Sequence, residues 1–267
     1  MLTPVCSLAD GAQLQLRFNL QMVNPGAHEL GPQRLWMYLP VGKNDWWTLE
    51  AVETEAAHAL QTDSLGHTIL FVETREFSGF ARRSAALAVR LKRDLARLPA
   101  RIDADEWLRA ERFIESEDKM IAAHALALRA ATDQATVRNI YEFVVSHLVY
   151  AGYVPEDLGA LYALKQRRGD CSEYASLVVA LCRALGIPAR RVGGYVTDRS
   201  FAPKPMDFHD WAEVAMDGRW RVVDAQKGAL ADREIQYVPF RYYRDAVLNN
   251  IGTSHRYRVE GNMEFSV

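Results

Sequence analysis

The 267-residue chain is poor in cysteine: it has three, Cys6, Cys171 and Cys182. Three thiols cannot build a disulfide framework, and with no CxxC pair they do not read as a structural zinc site. No run approaches the roughly 18 apolar residues of a membrane span, so no transmembrane segment is expected. Met1 to Gly11 has neither a basic n-region nor a long apolar h-region. The expectation is a cytoplasmic protein if the chain is complete, with export open if a signal peptide has been removed. An excess of one charge is also lacking. Lys and Arg number 32 against 34 Asp and Glu, a formal net charge of −2, with a pI near 6.4. Non-specific nucleic-acid binding needs a strongly basic face, so no nucleic-acid partner is expected. No EF-hand loop or other calcium motif is present, so neither metal nor cofactor is expected.

What remains is ordinary globular composition, 49% hydrophobic and 25% charged. The first third reads as β structure. From Ala12 to Met22, Leu14, Leu16, Phe18, Leu20 and Met22 alternate with polar residues, a half-buried antiparallel strand. Further strands are expected at Arg34–Pro40, Trp47–Val52, His67–Glu76 and Phe80–Leu95, a spacing that suggests a β-sandwich. The character changes near Leu98-Pro99. Asp103 to about Ala131 is rich in Ala, Leu and Glu with no Gly or Pro, which predicts a long helix or two. Helices are also expected at Asp133–Val149 and from Asp170 to Gly186, followed by strands at Arg190–Thr197, His209–Met216, Arg219–Asp224 and His255–Val267. The chain thus divides into a β-sandwich-like domain, 1–97, and an α+β domain, 98–267, with the boundary near 96–103.

Asp170-Cys171-Ser172-Glu173 has the spacing of a capping box, with Asp170 as N-cap and Glu173 three residues on. Cys171 then occupies the first helical position, where unpaired N–H groups and the helix dipole favour a thiolate of lowered pKa. Position alone equally suits a buried, inert thiol. Cys182 lies among apolar neighbours and reads as packing, and Cys6 has no polar constellation around it.

A thiolate nucleophile needs a base, and the base an orienting group. His28 and His67 lie in or beside turns, and His124 and His147 in helices among apolar or small residues. His209 differs, because it opens a strand-like run that ends at Asp217-Gly218 and is followed by a second, Arg219–Asp224. Asp-Gly between two such runs is a strong hairpin signal. If Met216 and Arg219 close a two-residue turn, Trp211 faces Asp224 and His209 faces Gln226. His209 and Asp224 are then diagonal neighbours on one face, roughly 7–8 Å apart at Cα. A slip of one residue would separate them. A surface His beside a surface Asp would give the same pattern.

Taken together, Arg168-Gly169-Asp170-Cys171-Ser172-Glu173-Tyr174-Ala175, Leu185-Gly186-Ile187-Pro188-Ala189-Arg190, His209-Asp210-Trp211-Ala212-Glu213 and Trp220-Arg221-Val222-Val223-Asp224 resemble, in order, the motifs of the transglutaminase-like cysteine-enzyme superfamily. The resemblance covers roughly residues 135–230. It implies a papain-like, transglutaminase-like core of helices packed on an antiparallel sheet. It also implies Cys171 as nucleophile, His209 as general base and acid, and Asp224 as orienting carboxylate. A β domain ahead of such a core is common among bacterial members described as cysteine proteases. Those members usually continue from the Asp into Pro-Thr, whereas this chain reads Asp224-Ala225-Gln226.

The implied chemistry is acyl transfer on a peptide amide through a thioester, with a peptide or protein as substrate. One oxyanion donor should be the Cys171 N–H; candidates for the second are Gln166, Tyr150 and Tyr162. Gly169 could let substrate approach the sulfur, and Trp211 could wall the site. The leading expectation is a peptidase or amidase. The alternatives are a transglutaminase using an amine acceptor and a non-catalytic binding module of the same fold. The basic pairs Arg167-Arg168 and Arg190-Arg191 could meet an acidic group but read first as solvated surface. Oligomeric state is open.

Overall fold

The computed structural model of the protein describes residues 11–93, 102 and 105–267; Cys6 and most of the expected boundary at 96–103 lie outside them. The first strand, β1 (Gln13–Val23), buries Leu14, Leu16, Phe18, Leu20 and Met22, as its alternation requires. β2 (Gln33–Tyr38), β3 (Trp47–Thr54), β4 (His58–Thr62), β5 (Thr68–Thr74) and β6 (Arg82–Arg93) follow. β6 pairs antiparallel with β1 on one side and β3 on the other, and β5 lies between β2 and β4. The apolar faces of these two sheets share one cluster, which includes Leu16, Phe18, Leu35, Ile69 and Val89.

The long helix expected from 103 is not formed across residues 105–118, which hold one short 3-10 turn at Asp105–Trp107 and a Glu111–Ile114 bridge. Distant partners claim its side chains. Glu111 binds Arg183 at 2.8 Å and Arg244 at 2.7 Å. The Glu115 carboxylate accepts the N–H groups of Ala160 and Leu161 at 2.9 and 3.2 Å. The helix α1 (Lys119–Leu128) starts only behind its cap Asp118, which accepts from Met120 N at 2.8 Å. Then come α2 (Asp133–His147), β7 (Val149–Tyr150), α3 (Ala160–Gln166), β8 (Arg168–Gly169) and α4 (Cys171–Ala184). α3, which Glu115 caps, has no counterpart among the expected elements.

The third sheet is antiparallel throughout. It contains β9 (Ala189–Val196), β10 (His209–Met216), β11 (Arg219–Asp224), β12 (Ala229–Leu230) and β13 (Tyr237–Tyr242), in the order β12-β11-β10-β9-β13. On one face Ala212, Val214, Met216 and Val223 pack with Leu177, Val178, Leu181 and Cys182 of α4. On the other, Trp211, Trp220 and Val222 pack with Trp107 and Tyr242. Covering both faces explains why β9 and β10 are buried almost without alternation.

The last two strands, β14 (Tyr257–Glu260) and β15 (Glu264–Ser266), pair with β2 and β1 respectively. The segment expected to close the second half therefore completes the edges of the first two sheets. Tyr195, Val238 and Phe240 of the third sheet also enter their apolar cluster. The fold is mixed α+β, and its β-rich part is not a separate sandwich built from the first 97 residues alone. Among the described residues no helix is long and apolar enough to cross a membrane.

Candidate active site

α4 is buried from Ser172 to Arg183, as a helix apolar on nearly all sides must be. Its N-terminus is fixed by two carboxylates. Asp170 Oδ1 accepts from the Ser172 N–H at 2.8 Å and its hydroxyl at 2.7 Å, and Glu173 Oε2 accepts from Asp170 N at 3.0 Å. Their second oxygens hold the loop before α3: Asp170 Oδ2 takes Val154 N and Glu173 Oε1 takes Leu158 N, each at 2.9 Å. Neither carboxylate takes the N–H of Cys171, which is half-buried at the first helical position. Gly169 is required here, since a Cβ on it would stand 2.3 Å from Glu173 Cβ. Glu173 therefore packs against that glycine.

The hairpin forms in the expected register, with Ala212 opposite Val223 and Met216 opposite Arg219. Asp217 and Gly218 supply the two positive φ angles, +53° and +71°. That register brings His209 Nε2 to 2.7 Å from Asp224 Oδ2, both side chains buried. An ionised carboxylate only accepts, so Nε2 carries the hydrogen and Nδ1 the lone pair. Asp224 is further held by the Tyr237 hydroxyl at 3.0 Å and the Lys227 N–H at 2.9 Å. Burial alone would lift the Asp224 carboxyl. His209, with the Lys227 N–H and Tyr237 hydroxyl, brings it below the usual carboxylate range instead.

The sulfur's surroundings differ from the expected ones. Burial pushes the Cys171 thiol up, and the charges of Asp210 and Asp170 push it the same way. The main chain at Asp210 and the Arg191 guanidinium pull it back without restoring it. Burial and the two carboxylates thus act on this thiol against the direction in which a helix start acts. Among the described residues no hydrogen bond joins the sulfur to the His209 imidazole.

Of the oxyanion candidates, Tyr150 lies opposite Gly169 in the two-residue β7–β8 ladder. Burial and the charges of Cys171 and Asp170 lift its phenol. Gln166 is exposed at the end of α3 and Tyr162 half-buried within it. Trp211 is fully enclosed, stacked on His209 with ring centroids 6.3 Å apart and edge-on to Tyr237 at 5.1 Å, so it backs the imidazole from within the core. Arg190 and Arg191 are not solvated. Arg190 is bonded to Glu213 at 2.6 Å, and Arg191 to Asp157 at 2.7 Å, all four buried or nearly so. Their strand has both faces covered, so neither parity leads to water. Arg167 and Arg168 are exposed. Cys182 lies wholly in the α4 cluster.

The sequence reading does not reach Tyr237 as a partner of the carboxylate, nor Arg191 and Asp210 as charges acting on the thiol. Asp210 directly follows His209 in the sequence, and that adjacency was the available signal.

Residues 122–225 match the transglutaminase-like superfamily. Kyphoscoliosis peptidase from Homo sapiens is 29% identical over 134 residues, 44% of this chain and 19% of its own length. The Mus musculus protein of that name is 28% identical over the same span. This chain therefore spans about a fifth of the length of those relatives. The structure of a "putative cysteine protease" from Cytophaga hutchinsonii matches with a TM-score of 0.64 at 18% identity, covering 96% of this chain and 90% of that one. Over residues 122–225 the fold is transglutaminase-like, and the chain as a whole shares the fold of the Cytophaga hutchinsonii structure.

Proposed function

We propose that the protein is a thiol-dependent acyl-transfer enzyme that hydrolyses peptide amide bonds, with Cys171 as nucleophile, His209 as base and acid, and Asp224 as orienting carboxylate. The observation that carries this reading is the 2.7 Å contact between His209 Nε2 and Asp224, buried at the end of the hairpin, with Nδ1 left free to take a proton. The capped start of α4, which presents Cys171 and leaves its N–H outside the cap, supports it. The peptidase name of the human relative supports hydrolysis over transamidation.

In the first half-reaction the thiol proton passes to His209 Nδ1 as the sulfur attacks the amide carbon. Burial raises the thiol, which favours a proton that moves with the attack rather than before it. The Cys171 N–H receives the oxyanion, with Tyr150 as the favoured second donor ahead of Gln166 and Tyr162. Asp224 stabilises the imidazolium without taking its proton. Collapse breaks the C–N bond, Nδ1–H protonates the departing amine, and a thioester remains. Water then gives a proton to Nδ1 and its oxygen to the carbonyl, the S–C bond breaks, and Nδ1–H returns its proton to the departing sulfur, releasing the carboxylic acid and restoring the thiol.

The test is turnover of a peptide library by the wild-type chain and by Cys171→Ala, with product amines quantified. Loss of hydrolysis in the variant supports the reading. Equal turnover in both removes Cys171 as nucleophile and overturns the reading, and none in either overturns it in favour of the binding module. A glutaminyl peptide with and without an added primary amine separates the remaining case: an amine-dependent adduct would assign transamidation.

A further inference from the structure

The short ladder before α4 carries an exposed surface that the triad does not use. β7 and β8 form a sheet of two strands, with Val149 opposite Arg168 and Tyr150 opposite Gly169, the second residue before Cys171. Val149 N donates to Arg167 O at 3.0 Å and Ala151 N to Gly169 O at 2.9 Å. The chain that follows is clamped to the helix cap itself, since Asp170 takes Val154 N and Glu173 takes Leu158 N, each at 2.9 Å. Main-chain bonds therefore fix residues 149–158 against the start of α4 and leave the side chains over. Val149 is 71% exposed, Tyr150 54% and Tyr153 82%. Single exposed apolar side chains are ordinary, but a cluster of them beside one helix start marks a contact surface. Opposite residues of a ladder share a face. A Cβ on Gly169 would run into Glu173 of α4, so Tyr150 lies on the helix side, and Val149 and Arg168 on the side turned away from it.

The free charge on this surface is mostly of one sign. Lys165, Arg167 and Arg168 are exposed where α3 turns into β8, and Arg167 makes that turn at φ +55°. Among the described residues none of the three side chains has an ion pair or a hydrogen bond. The buried arginines 183, 190 and 191 each have a carboxylate partner instead. Of the carboxylates from 149 to 173 only Glu156 is exposed; Asp170 and Glu173 serve the cap and Asp157 is paired with Arg191.

We propose that this ledge selects the substrate of the Cys171 site, and that it takes a peptide carrying a carboxylate beside a bulky apolar side chain. Tyr150 and Tyr153 meet the apolar group, and Arg167 and Arg168 pair with the carboxylate. The proposal rests on Cys171 being the reacting centre and adds which peptides reach it. Guanidinium groups suit this task because their N–H donors match the two oxygens of a carboxylate. Tyrosine rings offer broad contact area at a small entropy cost.

The test is binding of fluorescent peptides, read by anisotropy, to the full chain carrying Cys171→Ala, so that no turnover intervenes. One peptide holds Phe-Glu and a second Phe-Gln, both with amidated ends; a third holds Phe-Gln with a free C-terminal carboxylate. The Phe-Glu peptide should bind about tenfold more tightly than its Phe-Gln counterpart at low salt, the scale of two exposed ion pairs, and the gap should close at high salt. The same gain from the free C-terminus instead would place the carboxylate at the peptide end and equally sustain the proposal. Arg167→Gln with Arg168→Gln should erase the gap. Tyr153→Ala should weaken every peptide about fivefold and leave the gap in place. Arg75→Gln with Arg82→Gln, exposed cations of the β-rich part, should change neither. Equal affinity for all three peptides, binding of none, or a gap that the Arg75 and Arg82 variant closes as fully as the Arg167 and Arg168 one, overturns the proposal. Binding is read without hydrolysis, so the selecting surface can stand where the assigned reaction falls. Hydrolysis of peptides without this preference would remove the surface alone.

Discussion

Cys171 and Cys182 stand about three turns apart on α4, on nearly the same face of the helix. Both thiols are pushed up, and burial is the first cause in each case. The resemblance ends there. Cys182 is enclosed by the apolar cluster that joins α4 to the sheet. Cys171 opens α4 at its capped end, beyond that cluster, where the charges of Asp210, Asp170 and Arg191 act on its thiol. Burial therefore does not separate the proposed nucleophile from a packing cysteine. The difference lies in which polar groups the fold brings to each sulfur and whether a base stands ready at the same end of the sheet.

Removing each sulfur in turn tests that contrast with the largest expected effect. Cys171→Ala should reduce kcat/KM by roughly 10⁴-fold or more, the scale seen when a nucleophile is deleted. Cys182→Ala should leave kcat/KM within about twofold while costing about 1–2 kcal/mol in urea denaturation through the cavity left behind. The base comes next. Asp224→Asn keeps the shape but disturbs the tautomer that leaves Nδ1 unprotonated, and kcat should drop by about 10⁴-fold with little change in the melting temperature. Tyr237→Phe removes one of the hydrogen bonds on that carboxylate; a loss of about 1.5–3 kcal/mol, seen as a ten- to hundredfold fall in kcat, is expected.

The smallest effect is on stability against pH. The folded Asp224 carboxyl lies below its ordinary value, so its contribution is present above the unfolded pKa of about 4 and fades as pH falls through the folded value. The urea midpoint of Asp224→Asn should therefore fall less steeply below pH 4 than that of the wild type.

The capping box and the hairpin were legible because both are local. Four consecutive residues, Asp170 to Glu173, set the first, and Asp217-Gly218 with strict alternation sets the second. The elements that could not be read depend on remote partners. α3 is only seven residues long and is capped by Glu115, 45 positions upstream. β4 is exposed throughout and held by main-chain pairing to β5, so its side chains carry no pattern. β13 contains Pro239, which argues against a central strand, but it lies at a sheet edge with its register broken at that point. The buried arginines follow from two-sided burial, which erases the period of two. The raised thiol was invisible for a related reason: the helix start is written in adjacent residues, whereas Asp210 reaches the sulfur only after the sheet has formed.

The contrast between the two cysteines reduces to whether an acyl group is ever carried on one of them. Acid quenching during turnover of a peptide amide, followed by peptide mass spectrometry, reads this directly. An acyl adduct on Cys171, none on Cys182, and none in His209→Ala is the expected outcome. Continued turnover with no adduct on Cys171, or turnover that survives Cys171→Ala, would contradict it.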